Sequence, residues 1–366
     1  MSLTSPRRDD ARFAAELVAW FQRGARELPW RTAARDPYAV WISEVMLQQT
    51  RVETVIPYFE RFLARFPTTR ALADAAEADV LALWSGLGYY RRARALHATA
   101  REVVERFGGA LPASADALRA LGGVGPYTAG AVASIAFDLP EALVDGNVAR
   151  VLARVEAIDA AIDGAAGRRL AWEAARRRVP LVGAGRYNEA LMELGATVCT
   201  PRAPRCEACP VAKRCRANID GRVDELPKTT PKRAVKLVEL TCAVLVKGAR
   251  VLLGQRARAG LFAGLWEPPM VEARTLAAAR PKLRALGVPG VEGLRSAGRV
   301  EHTLTHRRLA VLVATGPAPA RARTPSLAHV VDGDHAYGAF AWADPTDGAR
   351  GVSTLTRKIL KRAGLG

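Results

Sequence analysis

Acidic residues are in short supply. The 366-residue chain carries 36 Asp and Glu against 54 Lys and Arg, a formal net charge of +18 at pH 7. Excess positive charge attracts polyanions and releases their condensed counterions, so nucleic acid is the first partner to consider. A GC-rich coding sequence would explain arginine in place of lysine, but not the surplus over acids. No apolar run is long enough to span a bilayer, and no membrane partner is expected. The start, MSLTSPRRDDARFAAELVAWF, lacks the uninterrupted apolar stretch of a secretory signal, which leads us to expect a cytoplasmic protein. Cysteine is scarce too, with five in the chain. Too few for a disulfide framework, thiols in a reducing compartment point to metal. No repeat of solenoid length is present.

What is there reads as two domains. From about residue 10 to 217, apolar residues recur at three- and four-residue spacing, the pattern of an all-α unit. Residues 221–236, GRVDELPKTTPKRAVK, are polar, basic and Pro-containing, as a linker is. Strand-like runs follow at 238–246, 249–256, 298–314 and 337–343, with one helical run at 273–287, an α+β pattern. The expected division is a helical domain over 1–220, the linker 221–236 and a second domain over 237–366.

Four of the five cysteines fall within seventeen residues, as Cys199, Cys206, Cys209 and Cys215. Zinc sites usually use two separated short pairs. Here there is one short pair, and all four thiols lie on one loop at the end of a helical run. A cubane iron–sulfur cluster suits that spacing, because four irons on one small body take four thiolates; a zinc loop remains open. Cys242, in VELTCAVLV, reads as a buried small hydrophobe.

Residues 114–137, SADALRALGGVGPYTAGAVASIAF, read as a helix ending at Leu121, a turn over Gly122–Gly125 and a new helix opened by Pro126. The glycines Gly123 and Gly125, with Val124 between them, let the backbone approach a ligand closely. The free N–H groups of the next helix then face an anion. Such phosphate contacts position a protein without reading sequence. An ordinary Gly-rich helix–helix turn is the bland alternative.

Together, the hairpin and the C-x6-C-x2-C-x5-C loop resemble the endonuclease III superfamily of base-excision DNA glycosylases. The resemblance implies a helix-hairpin-helix glycosylase fold, a [4Fe–4S] cluster on the four cysteines, and basic loop residues (Arg202, Arg205, Lys213, Arg214, Arg216) presented to double-stranded DNA. It also implies residues 1–28 beside the cluster-bearing region. Tyr127 stands where the bifunctional members carry a lysine nucleophile, and a phenol cannot form a Schiff base with the sugar. Tyrosine there is the mark of the MutY-type adenine glycosylases, which act as monomers on adenine opposite 8-oxoguanine or guanine.

Glu44 lies in DPYAVWISEVMLQQT, where a helix would put Val40, Trp41, Leu47 and Gln48 on its face. A carboxyl on an apolar face has a raised pKa and can act as general acid. Alone, it reads first as a capping residue or a salt-bridge partner, as of Arg51; the surrounding motif resembles the MutY signature, which reverses that order. Asp145, in EALVDGNVARVLARV, has the form of an N-cap. The resemblance places it against the sugar of the flipped nucleotide, where a carboxylate stabilises an oxocarbenium-like centre. Asn147 is expected to orient Asp145, and Tyr127 to hydrogen-bond it.

Further roles rest on the resemblance. The extruded adenine would meet Arg31 and Glu189, with Trp30 lining the pocket. Gln48 and Tyr89 would wedge into the stack, with Arg91, Arg92 and Arg94 on phosphates. Core packing for Trp30 and Tyr89, and solvated surface for Arg31, Gln48 and Glu189, are the plain alternatives. VLLGQRARAGLFAGLWEPPMVE (251–272) resembles the strand-turn region of Nudix domains. The 273–287 helix has no acidic residue, so neither nucleotide hydrolysis nor a Mg²⁺ site is expected there. The family's 8-oxoguanine-reading segment aligns with Leu304, Thr305 and His306, with an aliphatic in place of the aromatic wedge. Two other functions fit less of the chain: a related glycosylase of other mispair or lesion specificity, and a non-catalytic iron–sulfur DNA-binding module.

Overall fold

The computed structural model describes residues 8–231, 235–258, 260–304, 306–326, 336–345 and 350–365. Packing divides the chain into two compact units, Met1–Asp74 with Ala95–Pro231 and Ala75–Arg94 with Lys232–Gly366. This grouping puts residues 75–94 with the C-terminal part of the chain, and 221–231 with the helical part, unlike a division at 220 and 237.

The first unit is helical. It holds α1 (Arg8–Gly24), α2 (Pro37–Leu47), α3 (Val52–Arg65) and α4 (Thr69–Ala73). Next in the chain come α5 (Glu77–Leu83), in the second unit, and α6 (Arg91–Phe107), within which the unit boundary falls. The first unit continues with α7 (Ala115–Arg119), α8 (Pro126–Phe137), α9 (Gly146–Val155), α10 (Ala165–Arg178), α11 (Ala184–Thr197) and α12 (Arg216–Ile219). Helix starts follow capping chemistry. Asp36 accepts from the Tyr38 amide at 3.0 Å with Pro37 opening α2, and Asp145 accepts from the Val148 amide at 2.7 Å to open α9; each satisfies an N–H that lacks an intrahelical partner. α8 is built from small and apolar residues and is buried from Thr128 to Ile135. It packs against both α2 and α11. The helix before the hairpin ends at Arg119, two residues short of the expected Leu121, with Ala120 as its C-cap.

The second unit carries a sheet in the order β3-β2-β1-β6-β5, with β4 paired to β1 and β7 to β2. The strands are β1 (Lys236–Lys247), β2 (Arg250–Arg256), β3 (Trp266–Glu267), β4 (Met270–Glu272), β5 (Arg295–Thr303), β6 (Arg307–Pro317) and β7 (Tyr337–Ala343). β1 and β6 run parallel, whereas β5 and β6 are antiparallel. The expected single run at 298–314 is therefore two strands, β5 ending at Thr303 and β6 beginning at Arg307. β1 is buried on both faces: Leu240, Cys242 and Val244 join one core with Leu355, Ile359 and Leu360, while Ala243 and Leu245 join another with Ala279 and Leu283. That is strand alternation with a helix against each face. The helices are α13 (Leu276–Ala285) and α14 (Thr354–Arg362). α14 was not expected from sequence. Residues 85–90 dock here too: the Ser85 hydroxyl and the Tyr90 hydroxyl each donate to the Val352 carbonyl at 2.8 Å. Among the described residues, no helix is long and apolar enough to cross a membrane.

Candidate active site

A cavity of about 480 Å³ opens among α2, α8, α9 and α11, a size that holds a small-molecule ligand or a nucleobase. Glu44 and Asp145 both line it, with Tyr127, Asn147, Trp30, Arg31, Gln48 and Glu189. The two carboxyls, a hundred residues apart, share one chamber.

Glu44 is 4% exposed. Its helix mates Val40, Leu47 and Gln48 line the chamber with it, while Trp41 is buried in the core. Tyr127, in the first turn of α8, donates its hydroxyl to Glu44. Two expectations are corrected here: Glu44 pairs with Tyr127, not Arg51, and Tyr127 bonds Glu44, not Asp145. The reason is that α2 packs on α8, which brings the Glu44 carboxylate to the phenol. Burial pushes the Glu44 pKa up to about 7, with the charges of Asp145 and Glu189 adding to it, and the Tyr127 bond and Arg31 opposing. Burial also holds the Tyr127 phenol well above its ordinary range, so it stays a donor.

Asp145 is held from several sides. Besides the Val148 amide, it accepts the Asn147 side-chain amide at 3.3 Å. Arg150 donates in turn to the Asn147 carbonyl oxygen at 2.9 Å, to the Gly195 carbonyl at 2.7 Å and to the Cys199 carbonyl at 2.8 Å. Burial raises the Asp145 pKa, but the Val148 and Asn147 hydrogen bonds and the Arg150 charge pull against it.

Glu189, Met192, Glu193 and Ala196 face the cavity from α11 at spacings of three and four residues. Glu193 is almost wholly buried and takes Arg26 through two bonds at 2.6 and 2.9 Å and Arg31 at 2.8 Å. Burial opposes its ionisation, yet these donors hold its pKa below the ordinary value. Arg31 lies 3.7 Å and Arg35 3.3 Å from Glu189, whose pKa is raised by burial against these cations. Glu189 and Arg31 are thus cavity wall rather than solvated surface. Trp30 does two jobs, lining the cavity and meeting Phe59 edge-on with ring centroids 5.3 Å apart. Sequence reasoning missed Glu193, Arg26 and Arg35; the four-residue step from Glu189 to Glu193 was the available signal.

Gln48 is tied back, its amide 3.2 Å from the Thr128 hydroxyl. In the hairpin, Gly123 has φ +82°, and Gly125 stands as the N-cap of α8 with no side-chain cap bond. Val124 is half-buried between the exposed Gly123 and Gly125. The Gly122 amide is already taken, donating to Glu102 at 2.8 Å. In the second unit, Tyr89 is 49% exposed and Arg91 is exposed. Arg94 departs from the expected open phosphate contact: it is paired with Glu77 at 3.3 Å and donates to the Ala263 carbonyl. Leu304 also differs from expectation. It is half-buried and packs on the sheet core with Leu261 and Val300, because an apolar side chain at that turn gains more from the core than from water. Thr305 lies outside the described residues, and His306 is exposed.

All four cysteines of the loop line one small apolar pocket, and none is in a disulfide. The loop has two 3-10 turns, Cys206–Ala208 and Ala212–Arg214. It buries Val211 and Ala217 and little else that is apolar. Two arginines of α9 pin it: Arg150, as above, and Arg154, which donates to the Thr200 and Leu226 carbonyls at 2.8 Å each and lies 3.3 Å from the Cys199 sulfur. Among the described residues, no three His, Cys, Asp or Glu side chains are grouped to hold a metal ion. Four thiols around one pocket, beside a fixed cation, are a donor set for either a four-iron cluster or a single zinc. Arg214 is engaged by Glu16 at 2.9 Å and by Asp9, both on α1. Arg202, Lys213 and Arg216 are exposed.

A family model described as HhH-GPD superfamily base excision DNA repair protein matches residues 42–177, and a NUDIX domain model matches 241–362. The chain is 41% identical over 314 residues to the adenine DNA glycosylase of Rattus norvegicus, covering 72% of this chain and 61% of that protein. It therefore spans about three-fifths of that relative's length. It is 34% identical over 256 residues to the adenine DNA glycosylase of Buchnera aphidicola subsp. Baizongia pistaciae, covering 69% of this chain and 72% of that one. The solved structure of a thermostable thymine-DNA glycosylase overlays with a TM-score of 0.51 at 28% identity, covering 58% of this chain and 98% of that one. On these relatives and the matching family model, the chain belongs to the adenine DNA glycosylase family of the helix-hairpin-helix base-excision repair superfamily.

Proposed function

We propose that this protein hydrolyses the N-glycosidic bond of adenine mispaired with 8-oxoguanine or guanine in duplex DNA. The observation that carries this reading is a buried carboxyl, Glu44, sharing one chamber with a second, Asp145. Glu44, with its pKa near 7, holds the proton that makes adenine a leaving group once delivered to a ring nitrogen. Asp145, with N–H donors opposing its burial, supplies the anion that steadies the sugar cation until water adds. Tyr127 in place of a lysine leaves no amine for a Schiff base, so the product is an abasic site with the strand intact. Arg31, Glu189 and Trp30 hold the extruded base. The hairpin amides of Gly123 and Gly125, and Arg91, meet phosphate, whereas the Val124 amide, expected to do so too, already donates to the Leu121 carbonyl at 3.2 Å; Gln48 and Tyr89 enter the stack. The opposite base is read by the second unit, with His306 as the exposed member of its segment.

Cys199, Cys206, Cys209 and Cys215 would hold a [4Fe–4S] cluster. When bound, that group folds a loop with little core of its own. The protein works on DNA as a monomer in the cytoplasm.

Glu44→Gln is expected to bind an A:8-oxoguanine duplex as the parent does and to release no adenine, measured by single-turnover base release. Release at the parental rate would remove Glu44 as the acid. The overlay with a thymine-DNA glycosylase favours a second reading, mispaired thymine as substrate. A panel of A:8-oxoguanine, A:G and T:G duplexes separates the two.

A further inference from the structure

The segment Ser85–Tyr90 of the second unit is turned tightly, with φ of +103° at Gly86, +79° at Gly88 and +50° at Tyr89. Glycine adopts such angles freely, but an aromatic residue does so at a cost and only where its surroundings impose it. Tyr89 is also the only aromatic among the exposed large hydrophobic side chains of the described residues. An exposed ring on a strained backbone needs something to keep it there. Arg92 supplies it. Its guanidinium carbon lies 5.4 Å from the Tyr89 ring centroid and 5.4 Å from that of Trp84. Trp84 is fully buried. The Arg92 backbone amide donates to the Tyr89 carbonyl at 2.8 Å. Its side chain donates to the Gly88 carbonyl at 3.3 Å, which also accepts from the Trp84 indole at 3.0 Å. The guanidinium is well withdrawn from water, and burial pulls its pKa down to about 10; a desolvated cation binds aromatic faces more strongly than an exposed one.

We propose that Arg92 is a positioning residue, lying over Trp84 and Tyr89 and bonded to Gly88, which holds the Tyr89 ring outward for insertion between bases. It is therefore not one of the phosphate contacts that its basic neighbours suggest. The proposal rests on the reading of Tyr89 as a wedge. It requires a planar cation, because lysine can neither stack on a ring nor make the lateral bond in the same geometry.

The test uses the full-length protein and the variants Arg92→Lys, Tyr89→Ala and their double. In the free protein, chymotryptic cleavage after Tyr89 reports how firmly the ring is held. Each variant is compared well below its own melting midpoint, so a destabilised variant is still read. We expect Arg92→Lys to be cut roughly tenfold faster than the parent. On an A:8-oxoguanine duplex, its kcat/KM is expected to fall about as far as that of Tyr89→Ala, with no further loss in the double variant. Parental cleavage by Arg92→Lys overturns the proposal. So does a loss that adds in full to that of Tyr89→Ala and shallows the salt dependence of binding, the signature of a phosphate contact. Parental activity in Tyr89→Ala alone would overturn the wedge reading instead, and the chymotryptic comparison would then decide whether Arg92 holds the ring.

Discussion

Glu44 sets chemistry against stability. Its folded-state pKa of about 7 lies above the ordinary 4.5, so the native state holds the proton more tightly than the unfolded chain. The stability this contributes is complete below about pH 4.5 and is lost as pH rises through 7. The loss is bounded at about 3 kcal/mol. Glu44→Gln, which keeps an acceptor for Tyr127 but cannot ionise, should therefore melt higher than the parent at pH 8 and alike at pH 4.5, measured by calorimetry. The same protonation makes base release fall about tenfold per pH unit above 7; a flat single-turnover profile to pH 9 would remove Glu44 as the acid. Asp145 separates its two duties more cleanly. Asparagine caps a helix as well as aspartate does, so Asp145→Asn should keep its melting midpoint. Base release should drop at least about a hundredfold, since a neutral amide does not stabilise a cation.

At the level of elements, the joint between α9 and α11 decides whether these side chains meet. A Cβ added at Gly195 would lie 2.8 Å from the Asn147 Cβ and 3.1 Å from its carbonyl atoms. Gly195→Ala is expected to cost about 1–3 kcal/mol and to push Asn147 off Asp145. Base release should then fall more than duplex affinity; an equal fall in both would argue against this joint as the positioning element. Local patterns gave these helices away, because caps and apolar spacing act within a few residues. Asp145 before Gly146 was readable as a start. The misses have physical causes as well. α14 is short and basic, and its apolar residues Leu355, Ile359 and Leu360 were hidden among six Lys, Arg and Thr residues. The 298–314 run reads as one strand because the residues 304–306 between β5 and β6 include no glycine or proline to mark a break.

For the whole molecule, the surplus of 54 basic over 36 acidic residues predicts duplex affinity that falls steeply with salt, by filter binding or anisotropy. Affinity independent of salt would exclude phosphate contacts as its main source. Removing the proposed cluster is expected to loosen 199–217, detected by proteolysis, with most helical ellipticity retained, because that loop buries few apolar side chains of its own.

By itself, the sequence determined the kinds of chemistry on offer: a carboxyl in an apolar helix, an aspartate at a helix start, a tyrosine instead of a lysine, four thiols on one loop. These depend on residue identity and short spacing. Which arginine serves which partner was decided only in three dimensions. Arg26 and Glu193 are 167 residues apart, Arg214 turns to Glu16, and Arg94 to Glu77. A long cationic side chain reads alike in any helix, but burying it requires a counter-charge, carbonyl oxygens or an aromatic face to meet it, and only the packed chain specifies where that partner stands.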